Sequence, residues 1–484
     1  MLIRNTLLYL VARGGPGLLN FAALLLFARL VTPDQYGRYA LVVAVAALVN
    51  SLGFYWLRLG LLRMNAVHGE DPVRWRSSVL LGFVGAVVPS AIAVGIVLAR
   101  NGMVVGPWLV VAGVAMLVTQ GWFELNLEFA TASAHPVTYG MMSLAKAALL
   151  ISGGVLLTRL GLGAEGLVIA LAASFVLPGA WAALRQWSGV SVRRADRHIV
   201  RELLVFGLPF TLTFAFEYIV STSDRLFLGA YHGASTVGVY AVSYDLAQQS
   251  LGMLMIVVNL AAYPITVRAF ERGGMHGARG QLERHCTLLA ALAMPAAMGL
   301  ALCAPALTTT LLATAYRETG REILPWIAFA ALVLGLKSYY FDIAFQLSRK
   351  TRLQVAAVAC GAVVNLALNL LWIPTRGVLG AAYSTLAGYL VGLTVSWWLG
   401  RRECRLPIPW SQLGRIVLAT AAMAAAILPL RSIDGVVGLL LQGAAGTAVY
   451  GAALVALDVM GVRARVRAMV LGATGQKVVS ADTR

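Results

Sequence analysis

The stretch Val364 to Thr385 reads VNLALNLLWIPTRGVLGAAYST. Asn365 and Asn369 stand four residues apart in an apolar run, so in a helix they share one face. Pro374 closes the run, and Gly377 with Gly380-Ala381-Ala382 restarts it on small residues. Two amides on one face do not suit lipid. They either bind neighbouring helices together or border a wet cavity. The stretch predicts a membrane helix, a tight turn and a second helix crossing close by.

The whole chain follows the same pattern. Its 484 residues are 60% hydrophobic and 12% charged, with a mean hydropathy of +0.80, too apolar for one soluble core to hide. Apolar runs of bilayer-spanning length recur at roughly 7–29, 38–62, 79–99, 106–128, 137–158 and 165–185. They continue at 203–224, 236–262, 287–313, 323–346, 353–373, 378–400, 412–431 and 435–459. These runs predict an all-α polytopic membrane protein of about 14 transmembrane helices. The first run lacks a small-residue cleavage site after it, so it reads as a retained helix and not a signal peptide.

Basic residues give the orientation. With the N-terminus in the cytoplasm, the inner segments hold most of the 38 Lys and Arg, including Arg193, Arg194, Arg197, Arg201, Arg401, Arg402 and Arg405. This predicts a multi-pass protein of the bacterial inner membrane with both termini cytoplasmic. It also accounts for most of the net charge of +18 without a nucleic-acid partner. Cys286, Cys303, Cys360 and Cys404 show no ligand spacing and read as packing thiols.

An internal repeat organises the chain. Gly37-Arg38-Tyr39-Ala40 and Gly238-Val239-Tyr240-Ala241 match in Gly, Tyr and Ala at one constant offset, and the Gly163/Gly166 spacing returns at Gly377/Gly380. The reading is two parallel-repeat six-helix lobes plus a C-terminal helix pair: an N-lobe at 1–190, a basic linker at 191–202, a C-lobe at 203–402, the helix pair at 403–460 and a basic tail at 461–484. A parallel repeat puts the natural site between the lobes. Loops are short, and no Walker, HExxH, paired-cysteine or Asp-x-Asp motif occurs. Transport without covalent chemistry, with no cofactor, is the expectation.

Ionisable groups within the crossings mark a wet interior or a paired contact. Arg13, Arg58, Lys146 and Lys337 form a cationic series expected to face the cavity and hold an anionic cargo, with Asn365 and Asn369 as further substrate-binding candidates. Arg13 and Arg58 can also snorkel to the headgroups. Lys146 can pair with Glu124 or Glu128, and Asp224-Arg225 reads as a local structural pair. Glu124, Glu217, Asp245 and Asp342, each within a polar stripe of its helix, are candidates for coupling to H+ or Na+.

Asn365-(x3)-Asn369-(x4)-Pro374-(x2)-Gly377-(x2)-Gly380-Ala381-Ala382 resembles the helix 11–12 junction of the polysaccharide-repeat-unit (Wzx-type) flippases. These belong to the multidrug/oligosaccharidyl-lipid/polysaccharide (MOP) flippase superfamily. Met294-Pro295-(x3)-Gly299-Leu300, with Leu311-Leu312, Tyr316 and Ile323-Leu324, is similar to that family's ninth and tenth helices. Asp224-Arg225-(x12)-Gly238-(x1)-Tyr240-Ala241 and Leu30-(x1)-Thr32-Pro33-(x3)-Gly37-(x1)-Tyr39-Ala40 resemble its helix 7–8 and 1–2 junctions. The likeness runs over residues 1–400. It implies a V-shaped cavity and a polyprenyl-pyrophosphate-linked oligosaccharide, carried from the cytoplasmic to the periplasmic leaflet for O-antigen, capsule or exopolysaccharide. Membrane lipids, a polysaccharide polymerase and chain-length proteins are the partners it implies. A drug/cation antiporter and a lipid II flippase share the superfamily and are the alternatives. A cavity for cationic drugs would carry net negative charge, whereas buried bases are prominent here. An O-antigen polymerase or ligase is opposed by the short loops, and a scaffold of an envelope assembly complex is the remaining reading.

Overall fold

The computed structural model describes residues 2–65, 71–100, 105–133 and 135–463, with side chains from residue 15 onward except 209–210. All regular structure among these residues is helical. The first six helices are α1 (Leu2–Leu30), α2 (Pro33–Met64), α3 (Pro72–Arg100), α4 (Pro107–Ala132), α5 (Pro136–Arg159) and α6 (Gly163–Gln186). Four of them open on proline, whose fixed φ suits a first turn where no amide hydrogen is needed. Before α2, Thr32 Oγ1 accepts from the Gln35 amide and the Gln35 side chain accepts from the Thr32 amide. This reciprocal capping box fixes the helix start.

Helical hydrogen bonding then continues from Arg197 to Leu302, but Gly233 (φ 82) and Gly274 (φ 59) are left-handed and interrupt it. The result is α7 (197–232), α8 (234–273) and α9 (275–302), the last followed by a short helix Ala304–Leu311. The next helix, α10 (Thr314–Leu347), contains a π-helical turn at Lys337–Phe341. Thr351–Glu403 is divided by Gly377 (φ 52, ψ −126) into α11 (351–376) and α12 (378–403). Trp410–Ile427 is α13 and Gly435–Ala456 is α14. Among the described residues, each apolar run read from the sequence is carried mainly by one of these helices, the run at 287–313 continuing past Cys303 into the short helix, and the chain is an all-α polytopic membrane protein. The polar ends extend the helices beyond the runs. For instance, α7 starts at Arg197 because Asp196 caps the His198 amide at 2.8 Å.

By packing, the chain falls into two compact units. One runs to Gln249 and adds Leu312–Thr319 and Gln354–Gly392; the other comprises Ser250–Leu311, Gly320–Leu353 and the chain from Leu393. In the first unit, α2 is the most deeply packed helix, with Val42, Ala46, Leu57 and Leu61 fully buried. A Cβ on Gly37 would collide with the Ala234 carbonyl, and a Cβ on Gly238 would collide with the Pro33 carbonyl. The two glycines thus let the starts of α2 and α8 touch backbone to backbone, as small residues do in membrane bundles. Each meets the residue four before the other, so the contact is reciprocal about the offset that links the sequence marks.

The linker after α6 is tied to α3. Arg74 pairs with Asp196, the Asp196 amide donates to Ser78 Oγ (2.8 Å), and the Ser191 amide donates to Ser77 Oγ (3.2 Å). In the second unit, α8, α9 and α10 share a core of Leu251, Met255, Leu282, Leu289, Tyr340 and Ile343. Ile416 and Met423 of α13 pack against α9 and the residue that follows it, and Tyr450 of α14 donates to the Ala291 carbonyl at 2.6 Å. The outer face of α14 carries exposed Val436, Val437 and Leu440, an apolar stripe suited to acyl chains.

Candidate functional site

A cavity of about 270 Å³ lies within the first unit. Its apolar wall includes Leu24 and Phe27 of α1, Leu150 of α5, and Leu171 and Phe175 of α6. Its polar wall comes from Asn20 on α1, Tyr36 and Tyr39 on α2, Gln120 on α4 and Lys146 on α5. Arg225 of α7 and Asp245 and Gln249 of α8 complete it. The cavity therefore takes residues from both halves of the repeat read in the sequence. Apolar walls with a few convergent polar groups are the usual composition of a ligand site.

Among the described residues two bases reach this cavity, and they differ in company. Arg225 Nη2 contacts Asp245 Oδ1 at 2.6 Å, and its guanidinium lies 5.5 Å from the Tyr244 ring. Lys146 Nζ donates to Asn20 Oδ1 at 3.3 Å and lies 5.5 Å from the Phe175 ring. Among the described residues Lys146 makes no ion pair. The described residues of the wall thus carry two cations and one carboxylate, a net positive surface at low dielectric.

The acid expected beside Lys146 is used elsewhere. Glu124 pairs with Arg58 of α2, and it also accepts from Asn50 (2.9 Å) and Gln120 (2.9 Å). Arg58 lies over the Tyr55 ring at 4.9 Å. The Lys146–Glu124 pairing is corrected accordingly: Arg58 holds this carboxylate. Gln120 connects the cluster to the cavity wall, so Arg58 sits behind the wall, joined to it through Glu124 and Gln120. Glu217 is half-buried on α7, one turn from Phe214, which stacks on Tyr55. The side chain of Arg13 lies outside those described.

Asp224 and Arg225 are not paired with each other as the sequence suggested. Neighbours on a helix point about 100° apart. Arg225 turns to Asp245 in the cavity, while fully buried Asp224 accepts from Tyr240 and from Thr385 Oγ1 (3.0 Å). Behind it, Asn365 and Asn369 are fully buried. Ser223 of α7 donates to Asn365 Oδ1 (3.2 Å), Asn369 donates to Ser223 (3.1 Å) and to Asn365 (3.2 Å), and Ser384 of α12 donates to Asn369. The two amides thus join α7, α11 and α12.

Lys337 and Asp342 belong to the second unit. Lys337 is 3% exposed and donates to Asp342 Oδ2 at 2.7 Å, while Ser396 of α12 donates to Asp342 Oδ1 at 2.8 Å. The π turn makes this pair possible, since the Asp342 amide bonds to the Lys337 carbonyl at 2.9 Å. Of the acids read as coupling candidates, Asp245 lines the cavity and Asp342 is closed in this buried knot.

Sequence reasoning missed the cavity roles of Asn20, Tyr36, Tyr39 and Arg225. Tyr39 was legible only as a repeat mark. Asn20 had a signal: it is a lone amide in an apolar run, seven residues from Arg13 and from Phe27 on one helix face. Three of the thiols, Cys286, Cys303 and Cys404, are buried packing groups, whereas Cys360 is exposed on α11.

Comparison with known proteins agrees with this architecture. The chain is 20% identical over 421 residues to a protein described as the probable low-salt glycan biosynthesis flippase Agl15 of Haloferax volcanii, covering 86% of this chain and 87% of that protein. The fold is that of the lipid II flippase MurJ in its inward closed conformation, with a TM-score of 0.78 at 12% identity, covering 93% of this chain and 99% of that one. A multidrug resistance MATE family transporter in its inward-facing conformation gives a TM-score of 0.62 at 14% identity, covering 83% and 96%. The model of the polysaccharide biosynthesis protein family matches residues 26–321. By that match, carried on a helical membrane fold shared with MurJ and the MATE transporters, the chain belongs to the polysaccharide biosynthesis protein family.

Proposed function

We propose that the protein is a flippase for lipid-linked glycans, moving a polyprenyl-pyrophosphate-linked oligosaccharide from the cytoplasmic to the outer leaflet of the inner membrane. The observation that carries this reading is Lys146, a base on the cavity wall whose hydrogen-bond partner is a neutral amide. A cation without a carboxylate partner in an apolar surround is costly unless an anion or water meets it. A pyrophosphate supplies that anion. Tyr39, Gln120, Asn20 and Gln249 offer the hydroxyl and amide groups that suit sugar hydroxyls. The polyprenyl tail stays in lipid while the head crosses, and no bond is made or broken. The two halves of the repeat alternate in opening to either side of the membrane. An H+ or Na+ gradient, the membrane potential or substrate mass action drives the cycle. Asp245 is the coupling acid closest to the proposed cargo, since it shares the wall with Lys146.

Deleting the protein tests this reading. Accumulation of lipid-linked oligosaccharide on the cytoplasmic face supports it. A changed drug resistance without such accumulation points to an antiporter, and accumulation of lipid II alone points to peptidoglycan precursor transport. A reporter fused after Arg467 reads cytoplasmic if the orientation is right.

A further inference from the structure

The C-terminal end of α12 carries a second built site, outside the cavity. Arg401, Arg402, Glu403 and Arg405, together with Trp398, line an open cavity of about 510 Å³, within the range of ligand pockets. Two of the arginines are held by aromatic rings: the Arg401 guanidinium lies 4.7 Å from the Trp397 ring, and that of Arg402 lies 3.9 Å from the Trp398 ring. Such stacking orients a guanidinium while leaving its N–H groups free to donate. The acid in the cavity is already engaged, since Lys350 contacts Glu403 at 2.5 Å. Part of the positive charge answers the carbonyl end of α12, where the Cys404 amide closes on the Gly400 carbonyl at 2.8 Å. Three arginines and a lysine exceed one carboxylate and one helix end, so a positive excess remains.

The surroundings say what meets it. Trp398 on the cavity wall and its chain neighbour Trp397 are exposed, and Trp410 at the start of α13 is 73% exposed. Exposed tryptophans at the ends of membrane helices sit at the headgroup level. The charge bias of the sequence puts this end in the cytoplasmic leaflet, where anionic phospholipids meet basic pockets. We propose that Arg401, Arg402 and Arg405 form a site for the phosphate of an anionic membrane phospholipid. The tryptophans flank its glycerol and acyl region, and the occupied site anchors the α12–α13 junction.

The test uses the purified full chain and reads lipid adducts by native mass spectrometry. The probes are dioctanoyl phosphatidylglycerol, dioctanoyl phosphatidylcholine, polyprenyl pyrophosphate and inorganic phosphate. Wild type is expected to hold phosphatidylglycerol over phosphatidylcholine by on the order of tenfold, and the R401Q/R402Q/R405Q variant to lose that preference. Glu403→Gln removes the one acid among the described residues of the cavity, so it is expected to tighten phosphatidylglycerol binding severalfold. Misfolding cannot mimic that gain. Equal retention of both phospholipids by wild type, or an unchanged preference in the triple variant, overturns the proposal. Displacement by an equal concentration of inorganic phosphate overturns it in favour of a free-anion site. Displacement by polyprenyl pyrophosphate at a trace concentration overturns it in favour of a substrate headgroup site.

Discussion

Lys146 and Lys337 are both lysines within membrane helices, yet the protein uses them in opposite ways. Lys337 is sealed in a knot with Asp342 and Ser396, its charge cancelled inside the second unit. Lys146 lies on a cavity wall in the first unit, against an amide and an aromatic ring. A buried base with a carboxylate partner is neutralised inside the fold, whereas a base with only a neutral partner is available to an anion. Arg58 is intermediate, paired with Glu124 behind the wall and joined to the cavity through Glu124 and Gln120.

Lys337 is where removing the charge costs most. Lys337→Ala leaves Asp342 buried without its base, at about 3–5 kcal/mol, so folded protein in detergent falls sharply. The double variant K337M/D342N removes both charges and recovers most of the melting temperature. If Lys337→Ala keeps both its melting temperature and its abundance, the knot is not structural and the contrast with Lys146 fails.

A smaller effect is expected at Arg58. Arg58→Gln leaves Glu124 with donors from Asn50 and Gln120, so the loss is about 1–2 kcal/mol. Adding Glu124→Gln restores part of it. A larger loss in the double variant than in the single one would mean that the Asn50 and Gln120 bonds to the Glu124 carboxylate, and not the Arg58 pair, carry this stability.

The smallest effect lies in the linker. The His198 amide and the Arg74 guanidinium hold the Asp196 carboxyl below its ordinary range. A depressed carboxylate contributes above its unfolded value and loses that contribution as pH falls through its folded value, so the tie to α3 weakens only below about pH 4. Asp196→Ala should speed tryptic cleavage at Arg193 or Arg194 at neutral pH, with no measurable change in melting temperature. Unchanged cleavage would mean that the serine contacts alone hold the linker.

Much of this fold was legible because apolar length is a one-dimensional signal. The stretch from Val364 to Thr385 announced α11, a turn and α12, and Gly377 is the left-handed residue between them. The shared face of Asn365 and Asn369 was legible too, although their partners, Ser223 and Ser384, lie on other helices. The Lys337 pair was not legible for a specific reason. In a regular α-helix residues 337 and 342 point to different sides, and only the π turn realigns them. Arg225 and Asp245 are joined only after Gly233 folds α7 back on α8, a reversal that hydropathy does not record. The cavity tyrosines and Asn20 converge from separate helices, so no local spacing marks them.

The central claim is that the charge on Lys146 meets an anionic cargo. Its most direct test is transport of a polyprenyl-pyrophosphate oligosaccharide in proteoliposomes, normalised to folded protein, for wild type, Lys146→Arg and Lys146→Gln. The account predicts that Lys146→Arg keeps most of the rate, whereas Lys146→Gln, at wild-type melting temperature, loses at least about tenfold, equivalent to roughly 1.4 kcal/mol. A fully active, well-folded Lys146→Gln would contradict it.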